Sequence, residues 1–73
     1  MPITRSQKSN IGYAERNLGV IRRAYPGEYV AIVGRVIVDH DGNQANLADR
    51  VSLKFPGRRG LVLFDVEQRA AHI

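Results

Sequence analysis

The sequence predicts a small single-domain α/β (α+β) protein in which a mixed three-stranded sheet packs with two helices. Three observations predict it. The chain has 73 residues and no cysteine, so it is read as one domain without disulfides or thiolate metal sites. Two aromatic-Pro-Gly units, Tyr25-Pro26-Gly27 and Phe55-Pro56-Gly57, stand thirty residues apart, and a stretch with helical apolar spacing precedes each. Each unit also leads into an apolar, β-rich run, residues 29–33 and 61–66. The order is then helix, strand, hairpin strand, helix, strand.

Residues 1–10, "MPITRSQKSN", are polar and aperiodic and read as a flexible basic arm before the domain proper at 11–66. Ser9 or Asn10 can cap a helix beginning at Ile11, by accepting a bond from a free first-turn amide. In that helix Ile11, Ala14, Leu18, Ile21 and Tyr25 form an amphipathic stripe. Gly12 and Gly19 each lower its propensity by about 1 kcal/mol relative to alanine, so packing holds it, or a neighbour approaches closely at Gly19. Arg22 and Arg23 suit the negative end of the helix dipole. Pro26 pushes Tyr25 out of the α region and ends the helix, and Gly27 tolerates the turn.

The strand at 29–33 is followed by Gly34-Arg35, a two-residue hairpin turn with glycine first, the type II′ preference. Val33 then faces Val36 and Ile32 faces Ile37. The alternative is one long strand bulged at Gly34. Both faces of the sheet are apolar, which implies cover on both sides. Asp41 with Gln44 resembles a capping box, and Asn43 is a second possible cap, for a helix at 44–54 carrying Leu47, Ala48, Val51 and Phe55 on one stripe. Phe55-Pro56-Gly57 closes it as the first unit closes the first helix. The last run, 61–66, reads as a central or otherwise covered strand, and 67–73 as a tail. At an offset of thirty, Ile21 aligns with Val51, Ile32 with Val62 and Val33 with Leu63.

The stretch "YPGEYVAIVG" resembles a family of small bacterial and archaeal proteins classed as a domain of unknown function. Its members share a helix, a Tyr-Pro-Gly-x-(Tyr/Trp)-Val-Ala motif, a hairpin, a His-Gly-like turn, a second helix and a last apolar strand. The matching positions are Tyr25, Pro26, Gly27, Tyr29, Val30 and Ala31, with His40 and Gly42 more loosely. The resemblance covers residues 11–66 and implies no known enzyme. The chain departs from the pattern in its short turn at Val33-Gly34-Arg35-Val36 and in its basic N-terminal residues.

Candidates for chemistry are few. Asp39-His40-Asp41 is the one cluster of ligand-type residues, yet strand neighbours point to opposite faces, so the three cannot converge without a turn. Ser6, Ser9 and Ser52 lack a nucleophile's setting, His72 lies in the tail, and "GNQANLADR" is no phosphate loop. The expectation is no catalytic residue, no metal, no cofactor and no small-molecule substrate. Positive charge is uneven: residues 1–27 hold Arg5, Lys8, Arg16, Arg22 and Arg23 against Glu15. A nucleic-acid surface would draw on Arg5, Lys8, Arg22, Arg23, Arg58 and Arg59, provided the two helix-to-strand corners share one edge of the sheet, with Tyr25 and Tyr29 available to stack bases. Charge reversal at Arg22 and Arg23 would then abolish the affinity. Packing at the corners explains both tyrosines equally well, and a solvated surface explains the arginines.

A core this small rarely supplies more than about 3–5 kcal/mol. The sequence therefore favours a non-catalytic interaction module that self-associates or docks a protein partner, with a basic, sequence-tolerant nucleic-acid binder as the alternative. The basic N-terminal residues have no apolar stretch behind them and the longest apolar run is 29–33, so the expected location is the cytoplasm, with no membrane contact.

Overall fold

The computed structural model describes residues 4–57 and 60–68. The order is α1 (Arg5–Arg16), α2 (Leu18–Ala24), β1 (Tyr29–Val33), β2 (Val36–Asp41), α3 (Gln44–Lys54) and β3 (Val62–Asp65). The predicted α+β class holds, with three helices in place of two. Among the described residues no helix is long and apolar enough to cross a membrane.

The first helix starts at Arg5, six residues before Ile11, because Thr4 and Gln7 form a capping box. The Gln7 amide donates to Thr4 Oγ1 at 3.1 Å and the Thr4 amide donates to Gln7 Oε1 at 3.0 Å. The predicted arm is therefore helical from Arg5 onward, and residues 1–3 lie outside the described residues. Helix α1 stops at Asn17, whose backbone (φ −112°, ψ 18°) leaves helical values while its Nδ2 donates to the Tyr13 carbonyl at 2.9 Å. The apolar stripe survives the break: Ala14 and Ile21 are buried, with Tyr13, Leu18 and Tyr25 packed alongside. No atom would lie within 4 Å of a Cβ at Gly19, so close approach does not explain that glycine.

The repeated punctuation is one corner used twice. Tyr25 (φ −132°, ψ 58°) and Phe55 (φ −130°, ψ 56°) cap their helices with nearly the same backbone. Their amides close on the Ile21 and Val51 carbonyls, each at 2.8 Å. Gly27 (φ 73°) and Gly57 (φ 68°) then adopt the left-handed values the turn requires. At the first corner the Glu28 amide returns to the Tyr25 carbonyl at 3.2 Å, as in a type II turn with proline at its second position and glycine at its third.

The sheet order is β2-β1-β3, and both pairings are antiparallel. The sheet is thus not mixed, and β3 is an edge strand rather than a central one. β1 is the central strand, which is why Val30, Ala31 and Ile32 are fully buried. The hairpin keeps the predicted pairs Val33↔Val36 and Ile32↔Ile37. Its turn differs from type II′, because Arg35 (φ 59°) joins Gly34 (φ 58°) at positive φ, the type I′ signature. The register then shifts between Ala31, paired with Asp39, and Ile32, leaving Val38 as an extra residue on β2. The bulge lies there and not at Gly34.

Helices cover both sheet faces, as the two-sided apolar pattern predicts. On one face Ala14 and Ile21 of α1 and α2 meet Val30, Ile32, Phe64 and Val66. On the other, Leu47 and Val51 of α3 meet Ala31, flanked by Val38, Leu61 and Leu63. Burying aliphatic side chains of this size stabilises by about 1.5–3 kcal/mol each relative to exposure. Val66, expected to close the domain, is fully buried, and its amide extends the pairing to the Glu28 carbonyl at 3.1 Å. Residues 69–73, including His72, lie outside the described residues.

Candidate functional site

The antiparallel pairing gives the sheet two chemically different ends. At the start of β1, Tyr29 pairs with both Asp41 and Asp65, Glu28 precedes it, and Glu67 accepts the Gly27 amide at 2.9 Å. Acidic side chains therefore collect there. At the other end lie the hairpin turn, Gly60 and the first turns of α1.

The acidic end contains Asp39-His40-Asp41. Strand alternation sends the central histidine away from its neighbours. His40 Nδ1 contacts Glu28 Oε1 at 2.7 Å, and its ring lies 4.6 Å from that of Tyr25, centroid to centroid, with the planes tilted by 46°. Asp39 and Asp41 turn to α3, where Arg50 joins them. Arg50 Nε donates to Asp39 Oδ2 at 3.0 Å, Nη1 to Asp41 Oδ2 at 2.8 Å, and Nη2 to the His40 carbonyl at 2.9 Å. The Arg50 hydrogen bonds hold the Asp39 carboxyl below its usual range. The Asn43 amide, and then Arg50, do the same for Asp41. The two carboxylates in turn push the Arg50 guanidinium up. Helix α3 is capped by Asn43, which accepts the Asn46 amide at 3.0 Å, while Asp41 accepts the Asn43 amide at 2.7 Å one turn earlier. Among the described residues no three His, Cys, Asp or Glu groups are placed to hold a metal. This constellation braces β2 against α3.

The basic candidates separate. Arg22 contacts Glu67 at 3.7 Å and donates to the Val66 carbonyl at 3.4 Å, so it belongs to the acidic end. Arg23, beside it, is exposed. Because β1 and β3 run in opposite directions, the corner at Tyr25–Gly27 and the corner at Phe55–Gly57 lie at opposite ends of the sheet and do not share one edge. Arg58 and Arg59 themselves lie outside the described residues. Arg5 and Lys8 sit on α1 at the hairpin end, with Arg35 of the turn nearby. Tyr25 and Tyr29 pack into the two cores at the other end. Ser52 is occupied in its own helix, donating to the Asp49 carbonyl at 2.9 Å.

Four residues have roles that the sequence reading did not assign. Asn10, expected as a cap, is a buried tie: its Nδ2 donates to the Gly60 carbonyl at 2.6 Å and its Oδ1 accepts the Arg35 amide at 2.7 Å. Gly60 (φ 81°) passes so near α1 that a Cβ there would come within 2.5 Å of Ser6 Cβ. Arg50 had a signal: two aspartates at i and i+2 of a strand share a face and call for a cation on the covering helix. Arg35 had none, since its positive φ is set by contact with Asn10 rather than by its own type.

Fold and site together define a thin three-layer α+β domain whose clustered ionisable groups are engaged in bracing one end of the sheet. The chain belongs to a family of unknown function, DUF5678, whose model matches residues 21–67. That span runs from the last turn of α2 through β3 and leaves α1 outside it. No curated protein and no solved structure matches the chain.

Proposed function

We propose that this protein is a non-catalytic interaction module that binds a second copy of itself by adding a strand at the edge of β3. The observation that carries the reading is the difference between the two sheet edges. An open edge offers unpaired amides and carbonyls to another chain, and proteins blunt the edges they do not use with charges, bulges and side-chain cover. β2 has all three: the extra residue Val38, the run Asp39-His40-Asp41, and side chains on the His40 backbone. The His40 amide donates to Asp39 Oδ1 at 2.8 Å and its carbonyl accepts from Arg50.

β3 has no bulge and carries one charge, Asp65, at its last position. It is Val-Leu-Phe-Asp, pairs with β1 without a register shift, and leaves Val62 and Leu63 half-buried on opposite faces. Among the described residues no side chain bonds the backbone of Val62, Leu63 or Phe64. Strand addition supplies main-chain hydrogen bonds, and a two-fold pairing of β3 with its copy covers both half-buried residues in each protomer. It also enlarges a core that is small for a free-standing domain.

Light scattering coupled to size exclusion, across 1–100 μM protein (a range set on the order of ordinary self-association), tests this. The expected result is a dimer that Val62→Lys converts to a monomer with an unchanged circular dichroism spectrum. A monomer at every concentration, or a dimer untouched by Val62→Lys, overturns it.

A further inference from the structure

We infer that the hairpin end carries a second, independent docking surface, formed by Arg5, Lys8 and Arg16 of α1 with Arg35 of the β1–β2 turn, and that it binds the phosphate backbone of nucleic acid. At the acidic end Arg22 is paired with Glu67 and Arg50 with Asp39 and Asp41, and the His40 ring contacts Glu28. At the hairpin end Arg5, Lys8 and Arg35 form no ion pair among the described residues, and no carboxylate lines the hollow of about 390 Å³ between α1 and the turn. Arg5, Lys8, Arg16 and Arg35 thus set four cationic side chains against Glu15 on this surface.

The shape suits a chain of phosphates. The hollow is lined by Arg5, Ser6, Ser9, Asn10, Gly34 and Arg35, which present guanidinium and hydroxyl donors with no aromatic ring. A second hollow of about 580 Å³ adjoins it along α1, sharing Arg5 and Ser9 and adding Lys8, Gly12 and Arg16. Arg5, Lys8, Gly12 and Arg16 fall on one helical stripe, and the Arg16 guanidinium folds back over the glycine, where a Cβ would lie 3.1 Å from its Nη1. Over its length of about 16 Å, from the 1.5 Å rise per residue, such a stripe spans two to three backbone phosphates. Glu15 is the one carboxylate on this surface. Without an aromatic platform the surface has no means of stacking bases, so it reads the charged backbone and tolerates any sequence.

The inference does not rest on the β3 edge, which belongs to another part of the sheet. It also relocates the basic surface from Arg22 and Arg23, which the fold puts at the acidic end.

Fluorescence anisotropy with a labelled mixed-sequence DNA duplex, on the full chain, tests it. Neutralising three to four phosphates weakens binding by about 40- to 150-fold when monovalent salt rises from about 50 to 200 mM. Arg5→Glu combined with Arg35→Asn should abolish binding. The first change places an acid in the first turn of α1, and asparagine tolerates positive φ, so both respect the fold. A thermal melt by circular dichroism verifies that the variant is folded. Arg22→Glu with Arg23→Glu should leave the affinity within about twofold, since the pair lies outside the phosphate-contacting surface. Absence of binding at 50 mM salt overturns the inference. So does a folded Arg5→Glu/Arg35→Asn variant that binds like the wild type, or loss of binding in the Arg22/Arg23 variant alone.

Discussion

Asn10 shows how much one side chain can hold when both ends of its amide are used. It is buried, it comes from the middle of α1, and it bonds two segments far away in sequence: the turn at Arg35 and the approach to β3 at Gly60. Arg35 sits in a left-handed conformation that costs a side-chain-bearing residue about 1–2 kcal/mol, and the bond from its amide to Asn10 helps hold it there. Replacing Asn10 with alanine leaves a buried carbonyl and a part-buried amide unpaired. Each unsatisfied group costs about 1–3 kcal/mol, so Asn10→Ala should lose about 2 kcal/mol or more in a urea titration. A loss below about 0.5 kcal/mol, the ordinary range for a surface substitution, would show that water replaces both bonds.

At the scale of elements, the brace between β2 and α3 makes stability depend on acid pH. Asp39 and Asp41 are held below their usual values by hydrogen bonds made in the folded state. Groups whose folded values are depressed stabilise most above the unfolded value of about 4, and that stabilisation fades as pH falls through the lowered folded values. Arg50→Met removes the shared donor. Wild type should melt above the variant at pH 6, and the gap should close as pH falls from about 4 toward 2. A gap of equal size at pH 6 and pH 2.5 would mean that Arg50 contributes by packing rather than charge.

Much of this level was legible in the sequence. The aromatic-Pro-Gly corners were, because proline and glycine act on their own backbone whatever surrounds them. The Val33↔Val36 pairing was, since a two-residue loop sets it. The start of α1 was legible in Thr4-x-x-Gln7 and was missed behind the polar composition of the segment. Strand order and turn type were not. β3 lies beside β1, and Arg35 takes positive φ, through contacts made by residues 25 to 50 positions away, which no local pattern encodes.

At the scale of the whole molecule, α1 is part of the core and not an appendage to the family-matched span. It supplies Ala14 and Tyr13 to one apolar cluster and Asn10 to two loops. A chain reduced to residues 21–67 would expose Ile32 and Phe64 to water and leave the Gly60 carbonyl without its donor. It should show no cooperative thermal transition by circular dichroism, and a sharp melt close to that of the full chain would refute the assignment of α1 to the core. The candidate site followed a similar division. Its acidic members were visible as a cluster, whereas the cations that matter, Arg50 and Arg35, gained their roles from the fold.

The extra residue Val38 gives β2 a parity. Because of it Val38 and Asp39 both look toward α3, His40 looks back toward Tyr25, and Asp41 returns to Arg50. Deleting Val38 would make the ladder regular, with Asp39 still opposite Ala31, His40 opposite Val30 and Asp41 opposite Tyr29, whereas deleting His40 would carry Asp41 to the opposite face, away from the guanidinium. Deletion of Val38 should therefore be tolerated, and deletion of His40 should not.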